Sequence, residues 1–214
     1  MPIQPKQYQL ASKSGHQIDV RQLGERDYLS TQSEMQTFAE SHTAQERDQI
    51  WVLEHPRVYT QGTACQQSTL LPCDIAVVKS DRGGQITYHG PGQIVMYPLL
   101  HLKRYGIGVK SLVANLEQAV ITLLEKQGLA AERRDDAPGV YVDQAKIAAL
   151  GLRIKRGNSY HGLSLNLDMD LAPFSNIDPC GYQGLKVTRL SDHGWPLDQQ
   201  ETIENLLKNF TSLL

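Results

Sequence analysis

Cysteine is scarce in this chain, and its three cysteines, at positions 65, 73 and 180, form no metal or redox motif. They contain no CxxC pair, and the seven histidines are dispersed without the spacing of metal ligands. Zinc sites and disulfide scaffolds need such closely spaced residues. We therefore expect unbridged thiols and no resident metal.

Long apolar runs and long runs of one charge are also missing. The first fifteen residues have no apolar core of the kind that a signal peptide needs, and no later segment approaches the roughly 18 apolar residues of a membrane-spanning helix. Basic residues cluster only in pairs, such as Arg133-Arg134, and the formal net charge is −2. We expect no nucleic-acid partner, no membrane partner and a cytoplasmic location.

Length and apolar periodicity predict one α/β domain. The 214 residues, 40% of them hydrophobic, suffice for one core, and no repeat or linker divides residues 1–214. Helical spacing predicts helices over residues 22–44, 109–126 and 203–213, and strand patterns occur at 49–53, 74–79, 94–100, 139–142, 146–155 and 161–169. In the last of these, alternating Leu163 and Leu165 predict one buried face. Consecutive strands favour a mixed sheet with flanking helices over strict βαβ alternation.

The most distinctive segment is RGGQITYHGPGQ, residues 82–93, which places an arginine and a histidine among glycines ahead of an apolar strand. Glycine lets a ligand lie against the main chain, while Arg82, Thr87 and His89 supply hydrogen-bonding and titratable groups. Tight turns at residues 83–84 and 90–92 would give the same pattern. The segment is typical of a substrate cradle or of two turns between strands.

Cys180 lies in a polar segment, SNIDPCGY at residues 175–182, where a structural cysteine gains little from burial. A thiol is mostly protonated near neutral pH, so a nucleophilic cysteine needs a neighbouring cation or base. Lys146, at the start of the apolar segment KIAALGL, and His89 are the candidates. At a strand end, however, Lys146 could equally extend its amine to water.

Taken together, these segments resemble the lipoyl(octanoyl) transferases, also called the lipoate-protein ligase B family, over nearly the whole chain. The resemblance is carried, in the family's order and spacing, by EHPRVYTQG (54–62), RGGQITYHGPGQ (82–93), KIAALGLRI (146–154), YHGLSLN (160–166) and DPCG (178–181). It implies the single α/β catalytic domain shared with biotin protein ligases and lipoate-protein ligase A. Ala149, commonly serine, and Ser164, commonly alanine, depart from the family pattern, and both changes bear on local hydrogen bonds only.

The resemblance also implies an activity and a site. Octanoyl-acyl carrier protein would donate an octanoyl group to a specific lysine on lipoyl domains of 2-oxoacid dehydrogenase complexes and on the glycine cleavage H protein. Cys180 would form an acyl thioester and Lys146 would lower the pKa of its thiol, and no cofactor is implied. The implied acyl site consists of Arg82, Gly83, Gly84, Gln85, Ile86, Thr87, Tyr88, His89, Ala149, Leu150, Gly151, Gly162, Leu163 and Ser164.

The residues alone do not exclude two other functions. An ATP-dependent lipoate or biotin-type protein ligase would use the same fold, but a nucleophilic Cys180 would be superfluous there. A non-catalytic module that binds acyl groups or carrier proteins would keep the glycine cradle and need neither Cys180 nor Lys146. Transfer in the absence of nucleotide distinguishes the first of these from the octanoyltransferase.

Overall fold

The computed structural model describes residues 2–65, 74–134, 137–177 and 186–214. Cys73, Cys180 and the DPCG segment lie outside the described residues. The strands are β1 (Lys6–Ala11), β2 (Gln17–Glu25), β3 (Asp48–Glu54), β4 (Val58–Gln61), β5 (Ala76–Lys79), β6 (Ile86–His89), β7 (Gln93–Leu99), β8 (Glu132–Arg133), β9 (Gly139–Val142), β10 (Ala145–Lys155) and β11 (Asn158–Asn166). The α-helices are α1 (Tyr28–Ser41), α2 (Val109–Glu125) and α3 (Gln199–Thr211).

Eight of these strands form one mixed sheet in the order β1-β2-β3-β7-β11-β10-β9-β8. Strands β2 and β3 are parallel, and the other neighbouring pairs of this sheet are antiparallel. A smaller sheet has the order β5-β4-β6. This architecture confirms the predicted α/β fold with a mixed sheet and flanking helices.

Helices cover both faces of the larger sheet. Leu112 of α2 and Phe210 of α3 belong to the same core cluster as Met96 of β7, whereas Met35 of α1 clusters with Tyr97. Because neighbouring residues of a strand point to opposite faces, α1 packs on the face opposite to α2 and α3. In the part of the chain that the structure describes, none of the helices has the length and apolar character needed to cross a membrane.

The prediction that Leu163 and Leu165 lie on a core face of β11 is confirmed, and because helices cover both faces of the sheet, the opposite face of β11 is buried as well. The alternation of Leu163 and Leu165 with polar residues predicted one buried face, but all nine residues of β11 are buried. Leu163 and Leu165 pack in the cluster with α2 and α3. Ser164 and Asn166 lie on the other face, in the wall of a cavity. An alternating strand can therefore be fully buried when its polar side faces such a cavity.

The predicted helix over residues 22–44 begins too early. Residues through Glu25 belong to β2, in which Ile18 and Val20 are buried. Asp27 then caps α1, because its side chain accepts a hydrogen bond from the Ser30 N–H at 2.9 Å. The alternation before residue 22 and the capping aspartate are both visible in the sequence and would have placed this boundary.

A buried carboxylate at the start of β3 joins several segments. Asp48 Oδ1 is 2.8 Å from His42 Nε2 and accepts the backbone N–H of His101 at 2.8 Å. Its Oδ2 accepts the Tyr105 hydroxyl at 2.7 Å and pairs with the Arg104 guanidinium. Asp48 thus holds together the end of α1, β3 and the segment after β7.

We expect Asp48→Ala to reduce the free energy of unfolding by about 3–5 kcal/mol, because it leaves the mostly buried Arg104 charge without its partner. Urea denaturation followed by circular dichroism measures the change. The control is Glu204→Ala, which removes a half-exposed partner of Lys6 and should cost under about 1 kcal/mol. Equal losses in the two variants would show that Asp48 contributes no more than a surface ion pair.

Candidate active site

A cavity of about 390 Å³ is lined by the glycine-rich segment, β10, β11 and the start of α2. Its wall contains these residues that the family resemblance indicated: Arg82, Gly83, Gly84, Gln85, Ile86, Thr87, His89, Lys146, Ala149, Leu150, Gly151, Gly162, Leu163 and Ser164. Tyr88 is not in the wall; its ring packs against Tyr59 and Phe174, in the core of the smaller sheet. The volume is typical of a pocket for a small ligand.

Strand register brings two of the sequence blocks together. In the antiparallel pair of β10 and β11, Ala149 lies opposite Ser164, and Gly151 lies opposite Gly162. The two positions that depart from the family pattern are therefore partners. Gly162 must be glycine, because a Cβ there would lie 2.2 Å from the Met96 carbonyl oxygen.

The glycine-rich segment is joined to β10 by a close backbone contact. The Gly83 N–H donates to the Leu152 carbonyl at 3.0 Å. At Gly151, an added Cβ would lie 2.8 Å from the Gly83 carbonyl oxygen and 3.1 Å from Arg82 Cδ. Gly151 thus permits the glycine-rich segment to lie directly on the strand.

We expect Gly151→Ala to lower kcat/KM for the octanoyl donor that the family resemblance implies about tenfold or more, because the added methyl group displaces the glycine-rich segment from β10. Rates with hexanoyl and octanoyl donors measure the effect, and the shorter chain should lose less. Gly108→Ala is the matched control, since a Cβ there meets nothing within 4 Å. Equal kinetics in folded Gly151→Ala and wild type would show that the close contact does not shape the cavity.

Lys146 is a buried cation in the cavity wall, with 4% of its surface exposed. Its Nζ donates to the Pro138 carbonyl at 3.1 Å and lies 5.2 Å from the centroid of the Tyr141 ring. Gly139 leaves room for the side chain, because a Cβ there would lie 3.0 Å from Lys146 Cε. The alternative interpretation, in which Lys146 extends to water, is wrong.

The backbone of Lys146 is held by the segment that follows residue 185. Its N–H donates to the Lys186 carbonyl at 2.8 Å, and its carbonyl accepts the Thr188 N–H at 3.0 Å. Val187, between these two residues, lines the cavity. A β-bulge between Lys146 and Ala148 accompanies this extra pairing. The start of β10 is therefore fixed on both sides.

Arg82 is buried and engaged with protein oxygens. Its Nε donates to Thr60 Oγ1 at 3.1 Å, its Nη2 donates to the Thr60 carbonyl at 2.5 Å, and its Nη1 donates to the Gly83 carbonyl at 3.0 Å. These bonds tie the glycine-rich segment to β4. Arg82 therefore orders the cavity wall and adds positive charge to it.

A chain of hydrogen bonds determines the protonation of His89. The Thr188 carbonyl accepts from Asn166 Nδ2 at 2.9 Å, Asn166 Oδ1 accepts from Gln93 Nε2 at 3.0 Å, and Gln93 Oε1 accepts from His89 Nδ1 at 2.7 Å. A backbone carbonyl can only accept, so it sets the direction of every bond in the chain. Burial, and then the neighbouring His55, hold the pKa of His89 well below its usual value. His89 is thus neutral, with its proton on Nδ1.

The sequence analysis missed several residues of the cavity wall: Tyr28, Gln93, Tyr97, His161 and Asn166. Three of them carried a signal, since Gln93, His161 and Asn166 stand inside the quoted motifs and are polar residues within largely apolar segments. Tyr28 and Tyr97 carried none, because aromatic residues at these positions look like ordinary core. Tyr28 reaches the site at the start of α1, where it stacks on His89 at 5.8 Å between ring centroids.

Comparison with known proteins agrees with the fold and shows the family. The model of the lipoyl protein ligase A/B catalytic domain matches residues 27–211. An octanoyltransferase of Alkalilimnicola ehrlichii is 57% identical over 180 residues, which cover 84% of this chain and 84% of the relative.

Two solved structures share the fold at low sequence identity. A lipoate-protein ligase A, solved with bound ATP, has a TM-score of 0.71 and 16% identity over 90% of this chain and 83% of its own. A biotin protein ligase of Aquifex aeolicus, solved with biotin and ATP, has a TM-score of 0.61 and 16% identity over 90% of this chain and 68% of its own. At this identity the two structures show the fold alone. The match over residues 27–211 and the 57% identity show that the chain belongs to the octanoyltransferases, which are acyltransferases of the lipoyl protein ligase A/B catalytic-domain family.

Proposed function

We propose that the protein transfers octanoyl from octanoyl-acyl carrier protein, through a thioester on Cys180, to one lysine of lipoyl domains in 2-oxoacid dehydrogenase complexes and of glycine cleavage H protein. The observation that carries the proposal is Lys146, a buried amine in the wall of a mostly apolar cavity. A cation in such a place favours the thiolate form of a cysteine brought near it. The 57% identity to an octanoyltransferase supports the choice of acyl group.

In the first half-reaction, the Cys180 thiolate attacks the carbonyl carbon of the carrier-bound thioester. A bond from that carbon to the Cys180 sulfur forms, and its bond to the phosphopantetheine sulfur breaks. The departing thiolate takes up a proton from the Lys146 ammonium and leaves with the carrier as a thiol, so that Lys146 becomes a neutral amine. One thioester replaces another, so the step needs no cofactor.

In the second half-reaction, a neutral lysine amine of the lipoyl domain attacks the acyl-enzyme. A carbon–nitrogen bond forms, the carbon–sulfur bond to Cys180 breaks, and the amine loses a proton to a base. Cys180 returns as a thiolate. The product is an octanoyl-lysine amide.

We assign the base of this second step to Lys146. His89 is the alternative, but its depressed pKa means that it holds an added proton weakly. Lys146 has given its proton to the departing thiol in the first half-reaction, so its amine is available to take up a proton in the second. His89, with its fixed tautomer, is better suited to shaping the wall beside Gln93.

A nucleotide-free transfer assay tests this function against an ATP-dependent ligase, which the ATP-bound fold neighbours make the second candidate. Purified protein, octanoyl-carrier protein and a lipoyl domain should yield octanoyl-lysine, detected by mass spectrometry, without ATP. Product formed only from free octanoate with ATP would identify a ligase. Absence of product under both conditions would leave a binding module.

A further inference from the structure

A buried carboxylate on α2 has no part in the proposed chemistry. The buried residues of α2 are apolar apart from Glu117. Its Oε1 accepts a hydrogen bond from the Gly139 N–H at 3.0 Å. Taking a carboxylate out of water costs free energy unless other groups compensate its charge, so a glutamate at such a position needs a physical explanation.

One peptide group joins Glu117 to Lys146. The Lys146 Nζ donates to the Pro138 carbonyl at 3.1 Å, and the N–H of the same peptide group, at Gly139, donates to the Glu117 carboxylate. The dipole of this peptide group therefore has its negative end at the ammonium and its positive end at the carboxylate. The two hydrogen bonds, together with the lengths of the C=O and C–N bonds, place the two charges within about 9 Å of each other.

The backbone around this peptide group is restrained. Gly139 has a φ of 145°, a conformation that favours glycine, and a Cβ there would lie 2.7 Å from the Ala148 carbonyl oxygen. On the other side of the peptide group, the Ala137 carbonyl accepts a hydrogen bond from the Tyr141 hydroxyl at 2.8 Å. The peptide group therefore keeps its direction between the two charges.

Glu117 acts on Lys146 from outside the cavity wall, and the wall contains no carboxylate among the described residues. The other titratable or charged side chains of the described wall are Tyr28, Arg82, His89, Tyr97 and His161. Outside the wall, Arg134 lies over the Tyr141 ring that Lys146 also contacts. Arg133 Nε lies 3.8 Å from Glu117 Oε2, but its side chain is 39% exposed, so water screens its charge. Glu117 thus brings negative charge close to Lys146 without entering the cavity.

We propose that Glu117 is a positioning residue for Lys146: through the peptide group between Pro138 and Gly139 it holds the ammonium at the cavity wall and favours the protonated form of the amine. This inference rests on the proposed octanoyl transfer. In the first half-reaction the ammonium favours the Cys180 thiolate, and in the second the carboxylate helps the amine to take up a proton from the acceptor lysine. Glu117 itself touches no reacting atom.

The pH dependence of acylation tests the proposal. Glu117→Gln keeps an oxygen that accepts the Gly139 N–H but removes the negative charge, so the Lys146 ammonium should lose its proton at lower pH. We expect the alkaline limb of kcat/KM for octanoyl-carrier protein, measured by rapid-mixing mass spectrometry of the acyl-enzyme, to move down by about one pH unit. Glu54→Gln is the matched control and should leave the limb in place, since Glu54 is also buried, accepts the Gly92 N–H at 3.0 Å and lies outside the described cavity wall.

An alkaline limb that stays in place or moves to higher pH in folded Glu117→Gln would overturn the proposal, as would an equal shift in Glu54→Gln. Wild-type enzyme is the reference, and its failure to form octanoyl-lysine would contradict the octanoyl transfer instead. If Glu117→Gln does not fold, the double variant Glu117→Gln/Lys146→Met decides. Removing the uncompensated ammonium should restore folding, and a double variant that also stays unfolded would show that Glu117 does not act through Lys146.

Discussion

Replacement of Cys180 by serine is expected to reduce octanoyl transfer to a lipoyl domain at least about a thousandfold, the scale of loss seen when a covalent nucleophile is removed. A serine hydroxyl remains protonated near neutral pH, and a buried ammonium cannot make it an effective nucleophile. Quantitative mass spectrometry of the octanoylated lipoyl domain, after incubation with octanoyl-carrier protein, measures the loss.

The other two cysteines provide matched controls. Cys65→Ser and Cys73→Ser change the same atom at positions to which the family resemblance assigns no role, so both should retain transfer. If Cys180→Ser stays within tenfold of wild type, the covalent mechanism is wrong.

Replacement of Lys146 by methionine should raise the pKa of the Cys180 thiol. The Lys146 ammonium is buried, so its charge is weakly screened and favours a thiolate beside it. Removing that charge moves the pH profile of Cys180 alkylation upward, and a tenfold change in the acidity of the thiol corresponds to about 1.4 kcal/mol. Alkylation of Cys65 in the same sample should follow the same profile in both proteins.

Lys146→Arg separates the two tasks that we assign to Lys146. Arginine keeps the positive charge, so acylation of Cys180 should persist with water protonating the departing thiolate, but arginine cannot take up a proton from the acceptor lysine. Rapid-mixing mass spectrometry should therefore show an acyl-enzyme that forms with the octanoyl donor and then decays slowly when lipoyl domain is added.

For Lys146→Met, an alkylation profile of Cys180 that stays at the wild-type pH would leave His89 as the activator of Cys180.

Apolar periodicity was sufficient to predict the positions of the central strands and helices. Strands β3, β7, β9 and β10 and helices α2 and α3 occur where the sequence predicts them, within a few residues. Their patterns are clear because they supply the main core, as with Leu112 and Leu116 of α2. Strand β1 was missed, because it lies at the sheet edge with alternate side chains exposed and reads as a polar segment.

The composition of the cavity could be predicted only in part. Segments that carry a distinctive pattern, such as the glycines at 83 and 84 and the lysine at 146, pointed to the site because their residue types are unusual in their local context. The place of Tyr28 in the cavity wall depends on how α1 packs over the sheet, which local sequence does not encode. The bond between His161 and Asp81 joins residues 80 positions apart.

The most direct test of the account is the mass of the wild-type enzyme after incubation with octanoyl-carrier protein alone. We expect one added octanoyl group, mapped to Cys180 by peptide analysis, released by hydroxylamine and transferred on addition of lipoyl domain. Label on Cys65 or Cys73, or an unmodified enzyme that nevertheless turns over in rapid-mixing experiments, would contradict the account.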